Sequence, residues 1–294
     1  MSINMKTMRM KRTKIKRSPA EVIIMSTFFV IIAVHAISLL YPLFWAVLNA
    51  LKTNKLFEMS STSLPNPIMW SNFAEAFESI SIDGVSLFSM IGNSVWICIV
   101  GIGANTLASL LVAYPLARYR FPGRDFLYAL AIFSMTIPII GTGSTGYLLQ
   151  YNLGMIDNPL LIWIAWFTGF NSNFLILYGC FKTVSQTYAE AAYIDGANEV
   201  QVFTRVMLPQ ALPTITAIAT LGVIGMWSNY SVSLITLPSY PNLALGIFLF
   251  ADMVVASKPI YFAAVCISML PILILYASCQ KTIMSNFSVG GIKG

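Results

Sequence analysis

The stretch EAAYIDGANEVQVFTRVMLP, Glu190–Pro209, decides how the rest of the chain is read. It sets Glu190, Asp195, Glu199 and Arg205 between two long apolar segments, and it places Gly196 between two stretches of helical character. Ala189, Ala191 and Ala192 are good helix formers whose small side chains let another surface approach closely. Glu190 near a helix start is favoured by the helix dipole. Glycine tolerates a sharp backbone break at 196, after which Glu199 to Met207 can resume as a helix before Pro209 and Pro213. Two short helices meeting at a turn form a polar knob that suits docking on a cytosolic partner. An amphipathic connector lying on the membrane is the plainer alternative.

On either side of this knob the chain is apolar. Of its 294 residues 57% are hydrophobic and 10% charged, against roughly 25% charged in a soluble domain, and the mean hydropathy is +0.76. A spanning helix needs about 20 apolar residues. Six segments qualify: 22–48, 87–113, 126–149, 159–180, 214–236 and 260–278. The first is too long for a secretory signal and reads as an uncleaved span. The fold class is therefore all-α, a polytopic membrane protein with six transmembrane helices.

Charge orients these spans. Lys6, Arg9, Lys11, Arg12, Lys14, Lys16 and Arg17 precede the first one, a topology signal and a contact for anionic lipid. With that end inside, Arg118, Arg120, Arg124, Lys182, Arg205, Lys281 and Lys293 are also internal, and only Lys52, Lys55 and Lys258 of the 17 basic residues are external. Both termini are thus expected in the cytoplasm. The division is a basic segment 1–21, a permease domain 22–280 with its cytosolic loop at 181–212, and a tail 281–294. The net charge of +6 comes from this topology signal, so no nucleic-acid partner is implied. The outer loop 52–86 is long enough for short interfacial helices.

Several motifs carry no chemistry here. Gly141, Gly143 and Gly146 match GxGxxG, but no strand–helix unit surrounds them, so they read as a kinked or unwound helix region. No GxxxxGK[ST] sequence occurs, so this chain holds no P-loop. Cys98, Cys180, Cys266 and Cys279 lack metal or redox spacing and read as small hydrophobes. His35, the single histidine, reads as a packing residue, and no metal site is expected. Spans this poor in ionisable groups argue against ion-coupled transport.

The Glu190–Pro209 stretch resembles the EAA loop of membrane subunits of bacterial ATP-binding-cassette (ABC) importers: EAA, a glycine four positions after the second alanine, and a hydrophobic–Leu–Pro ending. YPLFW (41–45) with Leu51-Lys52, AYPLARYRFPGRDFLY (113–128), LGMIDNP (153–159) and the tail GGIKG (290–294) are similar to successive segments of carbohydrate permeases related to the smaller maltose-transporter membrane subunit. Two places depart from that pattern. Val184 to Ala189 replaces a proline and two acids before EAA, and Trp227-Ser228-Asn229 replaces Trp-Asn followed by an acid.

The resemblance implies a Type I ABC importer permease fold and a place in a bacterial inner membrane. It implies a transport subunit, not an enzyme, that forms half of the pathway for a sugar, an oligosaccharide in particular. Its partners would be a second homologous permease, an ATPase dimer that carries the ATP and Mg, an extracytoplasmic solute-binding protein, and membrane lipid; the chain itself binds no cofactor. Glu190, Ala191, Ala192, Asp195, Gly196, Leu208 and Pro209 would couple it to the ATPase. For an oligosaccharide, Trp166, Asn171, Asn173, Trp227, Asn229 and Tyr230 are the candidate pathway residues, supplying hydrogen bonds and aromatic faces. A permease for an amino acid or a phosphorylated polyol, or a non-transporting membrane anchor or signalling subunit, are the alternatives.

Overall fold

A backbone in hydrocarbon must satisfy its own hydrogen bonds, and a chain this apolar does so with helices. The computed structural model describes residues 18–137, 142–253 and 257–287. The basic cluster 6–17, Gly141 and the GGIKG tail lie outside the described residues. The first helix, α1 (Pro19–Ala50), begins at a capping box: Ser18 Oγ accepts from the Glu21 amide, and Glu21 accepts from the Ser18 amide. Its 32 residues are about 48 Å long at 1.5 Å per residue. Its C-terminal end packs against the chain, burying Ala46, Asn49 and Ala50 and setting Trp45 edge-on to Phe262 at 4.9 Å.

The loop 52–86 holds two short helices, α2 (Asn54–Met59) and α3 (Ser71–Ser79), as expected from its length. It also holds an unexpected hairpin of β1 (Ser81–Ile82) and β2 (Val85–Ser86), turned by Asp83 and Gly84 at positive φ. Asn72 closes the end of α1 by donating to the carbonyls of Ala50 (2.7 Å) and Lys52 (2.8 Å). The Lys52 amine is buried and donates to the Ser60 carbonyl at 3.0 Å, and burial lowers its pKa.

The central helix α4 (Leu87–Arg118) is followed by α5 (Arg124–Thr136), α6 (Thr142–Asn152), α7 (Ile162–Trp166) and α8 (Ser172–Thr183). The knob contributes α9 (Thr187–Ile194) and α10 (Glu199–Gln201), and π-helical turns over Val202–Met207 lead into α11 (Leu208–Trp227). A second π segment, Val232–Thr236, precedes α12 (Leu243–Asp252) and α13 (Lys258–Phe287). α4 packs on α8 and α11, while α13 packs on α1, α3 and α11.

Among the described residues, four helices are long and apolar enough to span a membrane: Pro19–Ala50, Leu87–Arg118, Glu199–Trp227 and Lys258–Met284. The spans expected at 126–149 and 159–180 are each divided, into α5 with α6 and α7 with α8. The second division has a visible cause. Asn171 leaves the helix to cap α8, accepting from the Phe174 amide at 3.1 Å. Gly169 lies so close to α4 that an added Cβ would sit 2.8 Å from Val112 Cγ2. The span expected at 214–236 stops as an α-helix at Trp227, where Asn229 Oδ1 accepts from the Ser231 amide at 3.1 Å and turns the chain.

Candidate functional site

The knob is closed by its own backbone. After α9, Gly196 takes φ +83, in the left-handed region. The Ala197 amide bonds the Ala192 carbonyl at 2.9 Å and the Gly196 amide bonds that of Tyr193 at 3.0 Å, which is a Schellman closure. Two residues later Asn198 opens α10 with a reciprocal capping box: its amide bonds Gln201 Oε1 and its Oδ1 accepts from the Gln201 amide, both at 2.9 Å. Pro209, in the first turn of α11, has no N–H for the carbonyl four residues back, and the ladder widens into π turns just before it.

One side of this elbow is held and the other is open. Ala189, Ala192, Ala197 and Leu208 pack against a core of Tyr114, Phe181, Val202 and Met207. Glu190, Ala191, Asp195, Gly196 and Pro209 are exposed. Beside them Ile194 is 87% exposed and Val200 68%. The seven residues named for coupling therefore divide: five face outward, while Ala192 and Leu208 anchor the elbow from within.

A clasp at the elbow's root escaped the sequence reading. Tyr119, just past α4, donates its hydroxyl to Glu199 Oε2 at 2.5 Å, and Tyr193 donates to the same oxygen at 2.6 Å. Both phenols hold the Glu199 carboxyl below the usual carboxylate range. The Glu199 carboxylate pushes Tyr193 up to about 12. Tyr119 rises as well, through burial first and then the same bond. Next to it Arg118 Nη2 donates to the Val184 carbonyl at 2.7 Å. A cavity of about 230 Å³ opens between Arg118, Gln186, Ala189 and the clasp.

The pathway candidates fall into two groups, one at each helix break. Trp166 ends α7 and lies over Gly101 of α4, where an added Cβ would stand 3.2 Å from its ring and 2.6 Å from Met226 Cε. Asn171 accepts from Ser109 Oγ at 3.1 Å and donates to the Thr168 carbonyl at 2.8 Å, and Asn173 donates to Asn105 Oδ1 at 2.9 Å. At the other break Asn229 is exposed, and Tyr230 stacks on Phe248 at 4.3 Å. Trp227 is only 7% exposed; its indole donates to the Ser268 carbonyl at 3.0 Å and it packs among Leu87, Met90 and Ala264. Its side chain thus lies inside the packed core. The described residues contain no cluster of three or more His, Cys, Asp or Glu able to hold a metal.

The family described as binding-protein-dependent transport system inner membrane component matches residues 105–283. The chain is 28% identical to the diacetylchitobiose uptake system permease protein NgcG of Streptomyces coelicolor, over 87% of each chain. It is 24% identical to the galactooligosaccharides transport system permease protein GanQ of Bacillus subtilis, over 90% of this chain and 94% of that one. It is 26% identical to the arabinooligosaccharides transport system permease protein AraQ of Halalkalibacterium halodurans, over 96% and 100%. Its fold superposes with a TM-score of 0.77 on a chain of a bacterial ABC transporter that imports the acidic polysaccharide alginate, at 22% identity, covering 90% of this chain and 98% of that one. The importer-permease fold expected from the sequence is the fold observed, and the chain is a transport component, not an enzyme. Matched over more than half of its length, the chain belongs to the binding-protein-dependent transport system inner membrane component family.

Proposed function

We propose that this protein is one membrane subunit of an ATP-driven importer for a sugar, an oligosaccharide in particular, and that energy enters through the elbow at Glu190–Pro209. The observation that carries this reading is the elbow's two-sidedness. Ile194 and Val200 stand exposed on a turn whose other side is packed and capped, and an exposed apolar patch rimmed by polar groups marks an interaction site. The permease names of the relatives point to oligosaccharides as cargo. The six apolar segments read from the sequence hold no Asp, Glu, Lys or Arg, which agrees with a neutral solute and disfavours a phosphorylated one.

In this reading ATP and Mg sit on two ATPase subunits that clasp the elbow. A second homologous permease completes the pathway, and an extracytoplasmic binding protein delivers the sugar. Both termini lie in the cytoplasm of a bacterial cell. Closure of the ATPase dimer displaces the elbow, and α11 and α4, which are joined to it, move between inward- and outward-facing arrangements. Co-purification of a P-loop ATPase with this chain, followed by sugar-stimulated ATP hydrolysis in liposomes, tests the reading. Transport by the purified chain alone would refute it.

A further inference from the structure

The break between α7 and α8 has a membrane depth that follows from helix geometry. Asn105 precedes Arg118 by thirteen residues on α4, about 20 Å, and Asn173 precedes Lys182 by nine on α8, about 14 Å. Arg118 and Lys182 are the first charges met toward the cytosol on these helices. With both at the boundary of a hydrocarbon layer about 30 Å thick, the break lies near its middle.

At that depth the chain departs from helix and displays polar groups. Asn105 Nδ2 donates to Thr168 Oγ1 at 2.9 Å, and Asn105 Oδ1 accepts from Asn173 Nδ2 at 2.9 Å. Thr168 is exposed, and so are Trp163, Phe167 and Phe170 around it. Non-helical backbone at membrane depth is tolerated where it meets protein or a water-filled cavity, not lipid. Discontinuous helices near the midplane are where transporters of other folds hold their cargo.

The side chains also define what they can recognise. Thr168 Oγ1 has accepted one bond and keeps its own hydrogen to donate; Asn173 Oδ1 remains an acceptor; Asn105 keeps a second N–H. This mixture of donors and acceptors beside aromatic faces matches hydroxyl groups, which donate and accept at once. Between Leu87 and Ala117, and between Leu160 and Phe181, the sequence has no Asp, Glu, Lys, Arg or His. A carboxylate brought here would find no counter-charge on this subunit.

We propose that Thr168, Asn105 and Asn173 form a mid-membrane contact site for uncharged saccharides. The assignment rests on the sugar-importer reading above and adds its location and substrate class. The test is cysteine protection in the reconstituted transporter. Thr168→Cys is placed in a background with Cys98, Cys180, Cys266 and Cys279 replaced by alanine and treated with a membrane-impermeant maleimide. The probes are N,N′-diacetylchitobiose, galactotriose and arabinotriose, with trigalacturonate as the anionic control.

Labelling that is slowed by whichever neutral saccharide the transporter takes up, and not by trigalacturonate, supports the site. In the same system Thr168→Val should raise KM for that saccharide by about tenfold, the scale of one hydrogen bond. Labelling that no transported saccharide slows overturns the assignment, and so does a thiol that no condition labels; in both cases sugar import itself still stands. Failure of the parent transporter to take up any saccharide would remove the underlying reading. Asn173→Cys supplies the same readout should Thr168→Cys not assemble.

Discussion

Tyr119 and Glu199 stand eighty positions apart in sequence, yet the phenol donates to the carboxylate at 2.5 Å. The bond joins the C-terminal end of α4 to the start of α10, and Tyr193 ties α9 to the same oxygen. Three elements that meet at one carboxylate cannot shift independently. A displacement applied to the elbow therefore reaches the central helix directly as well as through α11.

Removing the clasp should weaken transmission more than assembly. Tyr119→Phe is expected to lower the sugar taken up per ATP hydrolysed, and Tyr119→Phe with Tyr193→Phe to lower it further, while the complex still purifies intact. Parallel uptake and hydrolysis measurements in proteoliposomes check this; an unchanged ratio in the double variant would assign the clasp to folding alone.

The clasp also has a defined pH window. Glu199 is held below the ordinary carboxylate range, so its contribution is complete above that range and is lost only as pH falls through the lowered value. The two phenols are raised, so their contribution is complete below the ordinary phenol value near 10 and is lost as pH climbs through theirs, about 12 at Tyr193. Absorbance titration of the purified protein, taken as the difference from Tyr193→Phe, should show this phenol ionising near 12. In Glu199→Gln the same difference should move toward about 10.

Gly196 tests the elbow's backbone without touching its contacts. No atom lies within 4 Å of where its Cβ would be, so any effect of Gly196→Ala comes from holding φ +83, a cost of about 1–2 kcal/mol. Proline cannot adopt that φ, so Gly196→Pro should abolish uptake while membrane insertion persists. Uptake assays beside a membrane-fraction blot separate the two effects.

The crossing at Gly101 tests the packing beneath both helix breaks. Trp166 and Met226 close over it, and Gly101→Val forces a branched side chain between them. Overpacking of this kind costs about 1–3 kcal/mol, which should lower the thermal unfolding temperature of the detergent-purified complex. Gly101→Ala should cost less, since the nearer neighbour is the flexible end of Met226.

The elbow was legible because its signals are local. Gly196 for the left-handed turn and Pro209 at the start of α11 lie within a few residues of what they determine, while the cap of Asn198 with Gln201 is known from the structure. The uninterrupted helices α1, α4 and α13 were legible because hydropathy meets no competing signal along most of their length. The division of α7 from α8 was hidden because Thr168, Gly169 and Asn171 are embedded among aromatic residues that keep the window apolar, and because Asn171 is held by Ser109 of another helix. α12, opened by an N-cap at Asn242, went unread because its ten residues fall short of the length a span requires. Tyr119 with Glu199 was beyond local reading, since only tertiary structure joins them.

Site-specific photocrosslinking from position 194 in the assembled membrane complex tests the central claim most directly, because Ile194 is the most exposed apolar residue of the elbow. A cross-link to a P-loop ATPase whose yield changes when ATP is bound is the predicted result. Cross-links to lipid alone, with uptake unaffected by Ile194→Arg, would contradict the claim that this elbow admits the energy for transport.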